Sequence, residues 1–215
     1  MTLLVAALYA EALPLQQQMR RRRALCDPEA GIVWLGLLRR RPVALVVTGV
    51  GARAGVRVSA ALSALHRIGT PARRVLNFGT AGALGPGRPV GSAWAIVELE
   101  GRQLRTTPGQ PRASLITVDT PVVTETRRAA LAGRADLCDM EAGWVLRGSE
   151  GTDFAAIKVV SDLAGADPHD PLAPGRITML RFFYRAFRLV DRALMPLLLQ
   201  AMDAESEAVP ITSLG

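Results

Sequence analysis

The chain has 215 residues, 49% of them apolar and 21% charged, and a formal charge of +7. That length and composition suit one compact domain over residues 1–215 and exclude a disordered or low-complexity chain. Aromatics reach only 5% and the arginines fall in short scattered runs without a nucleic-acid motif, so a nucleic-acid partner is not expected.

In chain order, residues 3–8 form a first strand-like run that ends at the acidic turn "YAE", with Glu11. This apolar start lacks a basic leader and is too short for a signal peptide or a membrane span, which predicts a soluble, cytoplasmic protein. Cys26 and Cys138 show no metal-ligand spacing and fit reduced thiols. Arg20 to Arg23 and Arg39 to Arg41 read as solvated charge, with anionic phosphate or lipid as the alternative partner. Residues 32–37 and 43–48 are the next strands, and the second ends in "TGVG". Residues 52–68 carry Val56, Ala60, Leu62 and Leu65 at helical spacing, with Gly69 as the stop.

A strand at 75–78 ends in "FGTAG", and residues 93–98 and 115–118 supply two more. Glycine and proline mark loops at 85–91 and 107–112. Short helices follow at 124–132 and 140–147, then a strand at 154–160 that ends in Ser161-Asp162. Three prolines make 166–175 a loop, and a long helix is predicted over 178–201. It lines up Leu180, Phe183, Tyr184, Phe187, Val190, Leu194, Leu197 and Leu198 on one stripe, with Arg181, Arg185, Arg188 and Arg192 on another face. Pro196 should kink or break its last turns.

Strands alternating with helices predict an α/β layer fold. In such sheets ligands bind at the carboxyl ends of the strands, so the turns at Glu11, Gly49 to Gly51, Gly79 to Gly82 and Ser161-Asp162 can converge on one site. Gly49-Val50-Gly51 alone is a weak signal, because no phosphate-loop pattern completes it.

Five features now stand in order: Glu11, "TGVGARAG", "NFGTAGAL", "DMEAGW" and "KVVSDLAG". Together they resemble the nucleoside phosphorylase and nucleosidase superfamily, in particular the 5′-methylthioadenosine/S-adenosylhomocysteine nucleosidases. The likeness covers residues 1 to about 170, and His169 also matches a family position. The resemblance implies a nucleoside phosphorylase-type fold, a three-layer αβα sandwich with a mixed central sheet, that cleaves the N-glycosidic bond of a purine nucleoside, adenosine with a 5′ substituent. It implies no metal or organic cofactor, and it implies a homo-oligomer.

The resemblance also implies roles. Asp162 is the acid that protonates the departing purine, where a positioned carboxyl is worth about 10² to 10⁴ in rate. Glu141 grips the 2′ and 3′ hydroxyls and offsets the positive charge of an oxocarbenium-like sugar, and Met140 lies against the sugar's apolar face. Glu11 positions the attacking water, and Thr80 holds the nucleophile. Ala81, Gly82, Ser161 and Gly51 complete the substrate contacts. Three plainer readings stand beside these: Asp162 as a loop cap, Glu141 as a first-turn residue favoured by the helix dipole, and Asp119 as a turn former.

Phosphorylases of the superfamily carry arginine where this chain has Asn77, which favours water over phosphate, although Arg53 and Arg39 remain candidates to reach the site. The middle segment is shortened, and Pro121 or Val122 stands where the family has a phenylalanine that stacks on the purine. That segment and the basic, aromatic C-terminal helix are similar to the hopanoid-associated branch, which acts on an adenosyl lipid; this adds an anionic membrane surface as a partner through the helix. The rivals to hydrolysis are phosphorolysis to a ribose 1-phosphate and a nucleoside-binding protein without catalysis.

Overall fold

The computed structural model describes residues 1–164 and 179–203, with side chains from 183 in the second stretch. Among the described residues ten strands form one mixed sheet, β1 (Thr2–Ala6), β2 (Arg20–Asp27), β3 (Gly31–Leu38), β4 (Arg41–Val47), β5 (Arg74–Ala83), β6 (Ala93–Leu99), β7 (Arg102–Gln103), β8 (Arg112–Thr117), β9 (Leu137–Asp139) and β10 (Asp153–Leu163). The helices are α1 (Tyr9–Gln18), α2 (Arg53–Arg67), α3 (Glu125–Ala132), α4 (Ala142–Gly148), α5 (Met179–Leu189) and α6 (Met195–Asp203). The expected α/β architecture with a mixed sheet is present.

Period-two alternation builds the layers. Leu3 and Val5 of β1 face one core with Val58 and Leu65 of α2 and Val145 of α4. Leu4 and Ala6 face the other, with Leu15 of α1 and Val190, Leu194 and Leu198 of the C-terminal helices. β1, β4, β5 and β10 run parallel, so their carboxyl ends lie at one side of the molecule. One edge of β5 is divided: β1 pairs with its first half and β9 with Gly82 and Ala83. With β10 on its other edge, and β6 and β8 linking β10 to β9, the sheet closes on itself there.

Several boundaries differ from those predicted. The run 75–78 extends to Ala83 and the run 154–160 to Leu163, so the "GTAG" and Ser161-Asp162 stretches are strand rather than turn. A bulge between Val160 and Asp162 breaks the register where Ser161 sits, which re-aims the side chains beyond it. The arginines 20 to 23 form the exposed edge strand β2; charge on an edge blocks further strand pairing, and it also hid the alternation. Helix α1 was not predicted, because Pro14 lies inside it.

The C-terminal helix is not cut at Pro196. A π-helical turn, Val190–Leu194, precedes it and widens the backbone where the proline ring would press on the carbonyl four residues back. The extra residue rotates the two halves by about 100°. Val190, Leu194 and Leu198 are fully buried as expected, whereas Tyr184 is 62% exposed with the Arg188 guanidinium against its ring. The side chains of Leu180, Arg181 and Phe182, and all of His169 and of the 166–175 loop, lie outside the described residues.

Candidate active site

Glu11 enters the site from the first turns of α1 and is 2% exposed. Its Oε1 accepts from the Thr80 N–H at 2.7 Å and from Thr80 Oγ1 at 2.8 Å, and its Oε2 accepts from the Leu8 N–H at 3.0 Å. Gly79 makes this fit: it has φ +151, and a Cβ there would stand 2.8 Å from Glu11 Oε1. A strand glycine thus lets a carboxylate lie flat against the sheet.

On the other side of Gly79, β10 places Lys158 directly in register with it. Lys158 Nζ meets Asp139 Oδ2 at 2.8 Å, and the two side chains are 2% and 1% exposed. Asp139 ends β9; its carboxylate also accepts from Thr117 Oγ1 at 2.9 Å and from the Ala142 N–H at 3.1 and 3.2 Å. Asp139 therefore does the capping work at the start of α4. Glu141, read from sequence as a first-turn residue, instead occupies the N-cap position with φ −132, and its side chain makes no cap hydrogen bond.

Glu141 is 7% exposed. Burial first, then the neighbouring Asp139 and Glu11 carboxylates, push its carboxyl up to about 8, with the Lys158 ammonium opposing them. Burial by itself would lower Lys158, but Asp139, Glu141 and Glu11 raise it above the ordinary lysine value. Three carboxyl groups thus act on one buried ammonium, with Asp139 in direct contact.

Asp162 lies beyond the bulge in β10, in register with Gly82 and half-buried. Ser161 Oγ donates to Asp162 Oδ1 and reaches the Ala81 carbonyl at 3.3 Å, while the Arg185 guanidinium of α5 donates to the Ser161 carbonyl. Next to it the Cys138 thiol is pushed up to about 12 by burial and by the Asp162 and Asp139 carboxylates, so it is held as a thiol. Ala81 and Gly82 line the same strand, and Met140 packs with the small cluster of Leu84, Val118, Val122 and Cys138. Gly51, with φ +80, opens α2 after β4.

Glu11 of α1 is thus linked to Thr80 of β5, Lys158 of β10 to Asp139 of β9, and Asp139 to the start of α4, while Asp162 lies further along β10 opposite Gly82. Asn77 is 1% exposed, and its Nδ2 donates to the Val5 carbonyl at 3.3 Å, so it is a sheet residue rather than a site cation. Arg39 does not reach the site: it precedes β4, at the far end from the "TGVG" loop, and pairs with Asp203. Arg53 begins α2 and is exposed. Sequence reading missed Lys158 and Asp139. The signal was a lone lysine inside the apolar run Phe154 to Val160, since lysine is almost never fully buried without a partner.

Among the described residues no cluster of three His, Cys, Asp or Glu side chains is arranged for a metal ion. A surface groove lies elsewhere, between α2, α4 and the β2–β3 turn, lined by Val56, Arg67, Trp144 and Arg147.

The model of the phosphorylase superfamily matches residues 4–113, just over half of the chain. The chain belongs to that superfamily. It is accordingly an enzyme acting on N-ribosyl bonds. No curated protein matches the sequence. Among solved structures, a 5′-methylthioadenosine/S-adenosylhomocysteine nucleosidase from Colwellia psychrerythraea 34H, in complex with adenine, superposes with TM-score 0.71 at 18% identity, over 93% of this chain and 95% of that one. The same nucleosidase from S. pneumoniae, with a transition-state inhibitor, gives 0.70 at 18% identity over 94% and 100%. Futalosine hydrolase of Helicobacter pylori strain 26695 gives 0.71 at 13% identity over 95% and 97%. At such identities the likeness is one of fold.

Proposed function

We propose that the enzyme hydrolyses the N-glycosidic bond of a purine nucleoside, adenosine with a 5′ substituent. The observation that carries this reading is the placing of three carboxyl groups on neighbouring elements in different environments: Glu11 on Thr80 of β5, Glu141 at the start of α4 after β9, and Asp162 opposite Gly82 on β10. Glu11 is clamped by Thr80 and Leu8, which fits a base that orients water. Glu141 is buried and released from capping by Asp139, which fits a grip on sugar hydroxyls and on developing positive charge. Asp162, held by the Ser161 hydroxyl, fits the acid that protonates the base. The adenine bound to the Colwellia nucleosidase supports adenine as that base.

The test is adenine release from 5′-methylthioadenosine, S-adenosylhomocysteine and adenosine, followed by chromatography in phosphate-free and phosphate buffers. Release without phosphate, giving the free sugar, is expected. A sugar 1-phosphate formed only with phosphate makes the enzyme a phosphorylase, and no release from any nucleoside leaves a binding protein.

A lipid-linked 5′ substituent is the finer form of this reading, with an anionic membrane as the surface on which the substrate is met. Its support is α5, where exposed Tyr184, with the half-buried Arg188 against its ring, adjoins Arg185, the residue that touches Ser161. Such a basic, aromatic helix binds anionic bilayers with strong salt dependence. Among the described residues no helix is long and apolar enough to cross a membrane. Flotation with anionic vesicles is expected to carry the protein at low salt and release it at high salt. Absence from the vesicle fraction at low salt rules out the membrane surface.

A further inference from the structure

At the end of the sheet away from the site, arginine gathers on three neighbouring strands. Arg20 opens β2 in register with Leu37 near the end of β3, and Leu38 pairs with Arg41 at the start of β4. With neighbouring strands about 4.8 Å apart, residues 20–23 and 39–41 share one corner of the molecule. Arg20 to Arg23, Arg39 and Arg40 are exposed. Asp203 at the end of α6 is the acidic partner there, met by Arg39 at 3.2 Å and by Arg41 at 3.4 Å. Arg22 donates to the Gln16 carbonyl, while Arg20, Arg21, Arg23 and Arg40 make no ion pair among the described residues.

A run of surface charge is ordinarily just solvated. The backbone of this corner adds a second observation. Arg39 and Arg40 are the two residues of the turn between β3 and β4, with φ +47 and +68, and Arg21, with φ +53, lies in the bulge between Arg20 and Arg23. Such left-handed positions suit glycine or asparagine, and Asn-Gly is the favoured pair in a two-residue hairpin turn. Of the four residues other than glycine with positive φ among the described residues, three are these arginines. Gly36 of β3 makes room for the bulge, since a Cβ there would stand 2.9 Å from the Arg20 carbonyl oxygen. Positive charge thus stands where local stability asks for a small residue, and backbone strain held in this way points to a function.

We propose that this arginine corner docks the protein on an anionic lipid bilayer. Guanidinium groups without carboxylate partners, spread over adjacent strands, match a dense field of phosphate headgroups. The corner is a turn and a sheet edge rather than a cleft, so it fits an extended surface better than a single small anion. Residues 20–23 and 39–42 include no aromatic side chain on which a nucleic-acid base could stack. α6 ends on the corner, where Arg41 donates to the Met202 carbonyl, so this surface adjoins the C-terminal helix. The inference does not depend on the nucleosidase reading, and it concerns a surface other than α5.

The experiment compares the full chain with the triple variant Arg21→Gly, Arg39→Asn, Arg40→Gly by co-sedimentation with phosphatidylglycerol-containing vesicles at low salt and by thermal unfolding. Each basic residue at an anionic surface is worth about fivefold in partitioning, so the triple variant should bind about 10²-fold more weakly. Its Tm should rise, because the new residues suit the turn and the bulge, and the Arg39–Asp203 pair given up is exposed to solvent. If the triple variant does not fold, Arg20→Gln with Arg23→Gln, on β2 outside the left-handed positions, should still weaken binding by about 25-fold. Unchanged vesicle binding in either folded variant overturns the proposal, as does a loss of binding confined to Arg188→Gln in α5. Equal binding to vesicles of phosphatidylcholine alone, or binding to a single-stranded oligonucleotide with none to vesicles, also overturns it. Adenine release from soluble 5′-methylthioadenosine should be the same in the corner variants as in the unsubstituted protein. Its absence from all of them removes the nucleosidase reading and leaves the vesicle result standing.

Discussion

Asp162→Asn is expected to leave the fold intact and, with Asp162 as the proposed acid, to lower adenine release by about 10² to 10⁴-fold. The half-buried position beyond the β10 bulge tolerates an amide, and Ser161 Oγ can still donate to the amide oxygen, so local structure persists. What is lost is a proton for the departing purine. Without it the base must leave as an anion, and the barrier rises accordingly. Circular dichroism checks the fold, and turnover with adenosine nucleosides checks the chemistry. A riboside whose leaving group needs no proton, such as 4-nitrophenyl riboside, should be cleaved nearly as well by the variant. An unchanged rate of adenine release would remove Asp162 from the acid role.

Glu11→Gln is expected to reduce kcat by about 10²-fold or more while changing KM little. Each carboxylate oxygen already accepts from a backbone N–H, one from Thr80 and one from Leu8, and Thr80 Oγ1 adds a third donor. A glutamine can answer Thr80 with its oxygen, but its NH2 then faces the Leu8 N–H, donor against donor. The amide also cannot take a proton from water. Binding of the sugar through Glu141 should survive, which is why the loss falls on kcat. Steady-state kinetics in phosphate-free buffer read the two constants. A large rise in KM with kcat preserved would make Glu11 a substrate contact rather than the residue that orients water.

Part of this molecule is legible in the chain. Local alternation is sufficient to give β1 its two faces, because Leu3 and Val5 or Leu4 and Ala6 need only the period of two to meet opposite cores. Residue identity is sufficient to place Glu11, Glu141 and Asp162 at or near strand ends, because their motifs occur in a fixed order. Other elements left weak local traces: β9 has three residues, β2 is masked by arginine, and α1 contains a proline past its first turn.

The sequence by itself determined the alternating α/β pattern and the carboxylates, since these depend on periodicity and chemistry carried within short windows. The tertiary structure alone decided that β5 shares one edge between β1 and β9, that the bulge at Ser161 re-aims Asp162, and that Asp139 rather than Glu141 caps α4. It alone also brought Lys158 onto Asp139, nineteen positions away, because burial and pairing are properties of neighbours in space, and a lysine shows its charge in the sequence but not what surrounds it.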